Sequence, residues 1–294
     1  MDKFEKKNIL ELKKMTLEEV KKYYVELRKY EYEEDIPIKG IEFRKNIHNL
    51  LLKLIKLERH LSKQQLEIIN DRREKTDRPI IYACTHIGGD DVQRTFEAIE
   101  DHAYLFIGDL EELYRDLLGF ILYLNGAICL ETGIKEDRKI AKYRAIEVLK
   151  KNTNLLIYPE GAWNITANLP VMKLYAGAVL MAIETNADIV PVAIEQYDDK
   201  FYVNIGKNMK ITSTDVESIN QELRDNMATL KWEIWEKNDI VKRKDVDTTL
   251  EKFVNTIIER CPYGFTVEDV EKTRYKDETD ITKEEVFSFV KKLI

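Results

Sequence analysis

The chain has 294 residues, 44% of them hydrophobic and 34% charged, with a formal net charge of -7. That length fits one large domain with appendages or two modest ones, and the apolar share supplies a substantial core beneath a charged surface. Neither an acidic nor a basic tail dominates, which argues against nucleic acid as a partner. The start, Met1-Asp2-Lys3-Phe4-Glu5, has no apolar h-region, so no secretory signal is expected. No apolar run approaches the ~20 residues of a spanning helix.

Residues 1 to about 76 read as helical. Thr16 followed by Glu19 is a capping box, and Leu17, Val20, Tyr24 and Leu27 then recur at helical spacing. Pro37 and Gly40 break the pattern. A second helix is expected from about Ile41 to His60. It carries the run Leu50 to Leu57 with Arg44, Lys45 and Arg59 nearby, a pattern that suits an interfacial helix as well as one packed on the next domain. His48 and His60, on the same helix, read as surface or packing residues.

From about Arg78 to Lys210, short apolar runs alternate with helical stretches. Residues 79–84, 102–107, 127–130, 154–158 and 188–194 read as strands, with 201–206 as a late one. Ile140 to Lys151 is the clearest helix, with Ile140, Tyr143, Ile146, Val148 and Leu149 mainly on one side. This alternation predicts an α/β fold with a largely parallel central sheet flanked by helices. From about Thr212 the chain reads as helical again, with capping boxes at Thr214/Glu217 and Thr282/Glu285, and Trp232 and Trp235 as packing residues. The expected organisation is a helical N-terminal region over 1–76 with a candidate membrane-surface contact, an α/β domain over 77–211, and a helical C-terminal extension over 212–294. The odd set Cys84, Cys129 and Cys261 contains no CxxC pair, so neither a disulfide framework nor a structural zinc site is expected. Cys84 and Cys129 fall in strand-like runs as buried thiols.

Two segments could carry chemistry. The first is Thr85-His86-Ile87-Gly88-Gly89-Asp90-Asp91, directly after an apolar strand. Ligand sites in open α/β folds lie at the carboxyl ends of the strands, and paired glycines let the backbone turn sharply there. A neutral imidazole suits general-base work near neutral pH, and a carboxylate on its other nitrogen fixes the tautomer. Either aspartate could also simply favour the start of a helix. There is no G-x-S-x-G elbow, so the histidine would activate the acceptor itself. The second segment is Tyr158-Pro159-Glu160-Gly161, again at a strand end. Glu160 could accept hydrogen bonds from an acceptor's hydroxyls, or be the solvated carboxylate of an ordinary turn.

His86-x4-Asp91, Gly126-Ala127-Ile128, Tyr158-Pro159-Glu160-Gly161 and Ile189-Val190-Pro191-Val192-Ala193-Ile194 occur in that order. Over residues 78 to 210 the chain resembles the glycerolipid (PlsC-type) acyltransferases. The resemblance implies an α/β sheet with flanking helices and a His86–Asp91 pair that deprotonates an acceptor hydroxyl. That hydroxyl attacks an acyl-CoA or acyl carrier protein thioester, a co-substrate rather than a bound cofactor, and no metal is implied. It also implies that Glu160 and Gly161 help to bind a glycerol-phosphate acceptor. Two family arginines are replaced, one by Thr132 and one within Ala162-Trp163. Arg138, Lys139 and Lys173 are candidate substitutes, although each also reads as an ordinary helix-surface residue.

The expected function is therefore acyl transfer to a lysophospholipid such as 1-acyl-glycerol-3-phosphate, in phospholipid biosynthesis. Thr132 and Trp163 also suit a phosphate-free acceptor such as a glycoside, and a non-catalytic lipid-binding protein of the same fold is the remaining alternative. The expected location is cytoplasmic and peripheral on the inner membrane face, with membrane-surface lipids as partners. Oligomeric state is not legible.

Overall fold

A computed structural model of the chain describes residues 4–108, 117–166, 169–238, 246–260 and 264–275. Apolar runs become the strands β1 (Gln65–Asp71), β2 (Ile80–Cys84), β3 (Ala103–Gly108), β4 (Ala127–Leu130), β5 (Asn154–Ile157), β6 (Asp188–Tyr197) and β7 (Lys200–Ile205). They form one seven-stranded sheet in the order β1-β7-β6-β2-β5-β3-β4. The strands β2 to β6 run parallel, β7 returns antiparallel to β6, and β1 lies parallel to β7 at the margin.

The helices are α1 (Ile9–Leu12), α2 (Leu17–Glu33), α3 (Ile41–Leu61), α4 (Asp91–Ile99), α5 (Leu117–Gly126), α6 (Lys135–Lys150), α7 (Gly177–Thr185), α8 (Val216–Lys237), α9 (Val246–Arg260) and α10 (Val267–Lys272). A parallel sheet buries both faces, so its central strands need apolar residues at every position. β2 meets that demand, since all of Ile80–Cys84 is buried. Its Tyr82 and Cys84 join a core with Leu51 and Ile55 of α3, Phe96 and Ile99 of α4, and Leu122 of α5. Its Ile81 and Ala83 join the opposite core, with Ile146 and Leu149 of α6, Val179 of α7, and Leu223 and Met227 of α8. The expected α/β architecture with helical termini is the one observed.

Three local expectations need correction or restriction. The stretch read as helical up to residue 76 ends in β1, a marginal strand whose mixed burial leaves no clean alternation. The cap of α8 is Asp215, whose carboxylate accepts from the Ser218 N–H at 3.2 Å, and not Thr214. Thr282, Glu285 and Cys261 lie outside the described residues. The Thr16–Glu19 capping box is present in both halves, and Cys84 and Cys129 are buried.

α3 faces two ways. His48, Leu51 and Ile55 point into the core, and His48 Nδ1 lies 3.0 Å from Asn125 Oδ1. Arg44 donates to the Tyr123 and Leu124 carbonyls near the end of α5, at 2.8 and 3.0 Å, which satisfies acceptors a helix end leaves open. Arg59 pairs with Glu97 of α4 at 2.9 Å. Outside, Phe43, Leu50, Leu57 and Leu61 are 57%, 49%, 54% and 72% exposed. No helix among the described residues is long and apolar enough to cross a membrane.

Candidate active site

The site follows from strand register. β2 and β5 are parallel neighbours with Ala83 opposite Ile157. The same offset, carried beyond the strand ends, sets His86 opposite Glu160. Thr85 extends the ladder to β6: its N–H donates to the Val192 carbonyl at 3.0 Å, and its hydroxyl accepts from the Ile194 N–H at 2.9 Å. The chain then turns through Gly88 (φ +85°) and Gly89 (φ +61°), left-handed conformations that favour glycine. The turn delivers Asp91 as the first residue of α4.

His86 Nδ1 lies 2.8 Å from Asp91 Oδ2. That oxygen also accepts the Ile87 and Gly88 N–H groups, at 2.8 and 2.9 Å. An ionised carboxylate only accepts, so the network assigns the ring proton to Nδ1 and leaves the lone pair on Nε2. Nε2 makes no hydrogen bond among the described residues. Asp91 is 1% exposed and His86 16%, so the carboxylate is sealed while the ring keeps an opening. The Tyr158 ring lies against the imidazole with centroids 4.3 Å apart and planes 30° from parallel. Burial drives the Tyr158 phenol well above its ordinary range, so it stays neutral.

Glu160 stands behind the turn. It is fully buried. Oε1 accepts the His86 N–H at 3.0 Å, while Oε2 accepts the Met172 N–H at 2.7 Å and the Asn164 side-chain amide at 3.2 Å. Burial pushes its pKa up, against the pull of those two backbone N–H groups and the charge of Lys231. The carboxylate expected to face an acceptor thus faces the protein's own backbone. The Asn164 N–H donates to the His86 carbonyl at 2.6 Å, so the segment after β5 grips both the N–H and the carbonyl of His86.

The other expected residues divide into two groups. Trp163 is brought to His86, with rings perpendicular and centroids 6.2 Å apart. Gly161 (φ +69°) forms the turn after Tyr158 and is covered by the Tyr175 ring. Thr132 follows β4, and β5 and β3 separate β4 from β2, a distance of about 14 Å at ordinary strand spacing. Thr132 therefore does not stand beside His86. Arg138 donates to the Thr132 carbonyl, and its charge also acts on the Tyr175 phenol. The Lys173 ammonium lies 5.3 Å from the Tyr275 ring centre.

Sequence reading missed four supports of the site: Thr85, the Tyr158 stack, Asn164 and Lys231. Lys231 is 3% exposed, donates to the Ile194 carbonyl at 2.6 Å and pairs with Glu195 at 3.0 Å. The only local signal was the position of Lys231 beside Leu230 within an apolar helical pattern; its partners are remote in sequence.

Residues 64–195 match the model of the Acyltransferase family. The crystal structure of the 1-acyl-sn-glycerophosphate (LPA) acyltransferase, PlsC, from Thermotoga maritima is similar in fold. The TM-score is 0.53 at 17% identity, over 77% of this chain and 95% of that one. No curated protein sequence matches the chain.

Proposed function

We propose that residues 64–195, which match the Acyltransferase family model, act as a PlsC-type acyltransferase domain, and that the chain moves a fatty acyl group from a thioester to a lysophospholipid hydroxyl. The donor is acyl-CoA or acyl carrier protein, and 1-acyl-glycerol-3-phosphate is the model acceptor. The supporting observation is the 2.8 Å His86–Asp91 pair, which leaves the Nε2 lone pair to take a proton on a ring that is 16% exposed.

In this reading Nε2 takes the acceptor's hydroxyl proton as the oxygen attacks the thioester carbonyl carbon. Asp91 stabilises the imidazolium that forms. The tetrahedral intermediate collapses with loss of the C–S bond, and the imidazolium returns the proton to the departing sulfur. The products are an ester and a free thiol, and neither metal nor bound cofactor takes part. Glu160 acts through the His86 backbone as a positioning residue. The proposed cations for an acceptor phosphate are Arg138, whose charge reaches the Tyr175 phenol, and Lys173, over the neighbouring Tyr275 ring.

Trp163 favours a second reading. It occupies the position of a family arginine and stands against His86, which suits a phosphate-free acceptor such as a glycoside. Ester formation from acyl-CoA and from acyl carrier protein thioesters, measured with lysophosphatidate and with alkyl glycosides, separates the two. Product with lysophosphatidate supports the first reading, and product with glycosides alone supports the second. No ester with any acceptor would defeat both.

We also propose peripheral attachment to a membrane surface through the outer stripe of α3. Phe43, Leu50 and Leu57 recur every seven residues and stay exposed. The double substitution Leu50→Glu, Leu57→Glu is expected to abolish sedimentation with phosphatidylglycerol vesicles and to leave the melting temperature unchanged. Undiminished sedimentation would reject this surface.

A further inference from the structure

The helices α9 and α10 lie beyond the family-matched residues, yet they cover the catalytic turn. Ile257 of α9 is fully buried. Its Cγ2 lies 2.6 Å from where a Cβ on Gly88 would stand, and its Cδ1 lies 3.4 Å from the corresponding point on Gly89. Trp163 fills the other side of Gly88, 2.7 Å from the same point. Phe265, between the helices, packs on Trp163 with centroids 5.8 Å apart. Val270 of α10 joins Ala162, Ile165 and Met172 in a small core of its own, to which Trp163, Val254 and Ile258 add. The Tyr175 hydroxyl closes the far end by donating to the Thr273 carbonyl at 3.1 Å.

Against Gly88 the seam presents Ile257 and Trp163, Gln196 Oε1 lies 4.0 Å from the Gly89 point, and further out Lys252 and Arg260 pair with Asp198 and Asp199 at 2.9 and 2.8 Å. An imidazole that can take a proton from an alcohol can also take one from water. Water attack would form and break the same bonds, giving a carboxylic acid and a free thiol instead of an ester. A transferase with this base therefore needs a dry wall beside it.

We propose that Ile257 and Phe265, together with Trp163, form that wall and set the partition between transfer and hydrolysis. The proposal rests on the acyltransferase reading above. Neither Ile257 nor Phe265 is part of the His86–Asp91 machinery, so their substitution separates shielding from chemistry.

The test uses the full chain with acyl-CoA, with and without the best acceptor, and measures free thiol and ester together. In Ile257→Ala and Phe265→Ala the hydrolysis-to-transfer ratio is expected to rise about tenfold, about 1.4 kcal/mol in relative barriers. Ile257→Leu is expected to restore the native ratio, and Lys252→Ala, at the rim, to leave it unmoved. Lower melting temperatures with an unchanged ratio in both alanine variants would overturn the proposal, since the seam would then be packing only. If the native chain released no thiol and formed no ester, the acyltransferase reading itself would fail and the wall with it.

Discussion

Asp91→Asn is expected to slow acyl transfer by about 10²- to 10⁴-fold with the fold intact. Asp91 Oδ2 alone takes three N–H groups, from His86, Ile87 and Gly88. Oδ1 is buried and has no hydrogen-bond partner. An asparagine with its carbonyl oxygen at the Oδ2 position keeps all three bonds and sets its amide nitrogen at the Oδ1 position. The negative charge that stabilises the imidazolium is then lost, and the amide N–H₂ stands buried without an acceptor, which costs about 1–3 kcal/mol of stability. Asp91→Ala is different, because it leaves those donors buried and unpaired, at about 1–3 kcal/mol each. Turnover and melting temperature measured on both variants check the argument. A native rate in Asp91→Asn would reduce Asp91 to a helix-start residue.

Glu160→Gln is expected to lower kcat by about 10- to 100-fold while KM for the acceptor stays near native. Both carboxylate oxygens accept backbone N–H groups, one from His86 and one from Met172. A glutamine can accept only one of these and turns its own N–H₂ toward the other. Leaving one buried donor unpaired costs about 1–3 kcal/mol, and each 1.36 kcal/mol is a factor of ten in rate if it falls on the base's alignment. If Glu160 instead held the acceptor's hydroxyls, KM would rise and kcat would change little. Steady-state kinetics over a range of acceptor concentrations decides between these outcomes.

What could be read from the sequence was whatever depends on neighbours in the chain. β2, β5 and β6 announce themselves because strands buried on both faces carry near-continuous apolar runs, such as Ile80–Cys84, Leu155–Ile157 and Ile189–Ile194. His86, Asp91 and the two glycines lie within one turn, so their association could be read directly. β1 was missed because a marginal strand, partly exposed, carries polar residues such as Gln65, Glu67 and Asn70 and keeps no simple period. The role of Glu160 was hidden for another reason. A carboxylate at a strand end is visible in sequence, but the pairing of β2 with β5 is not, and neither is the return of Met172 to its second oxygen. The seam between α9 and the Gly88 turn is more remote still, since Ile257 and Gly88 are joined only by the fold.

The most direct measurement is ester formation from acyl-CoA and lysophosphatidate by the native chain and by His86→Ala. The account predicts ester from the native chain and a loss of about 10²- to 10⁴-fold in the variant, with unchanged melting temperature. Equal ester formation by both proteins would contradict the assignment of His86 as the base.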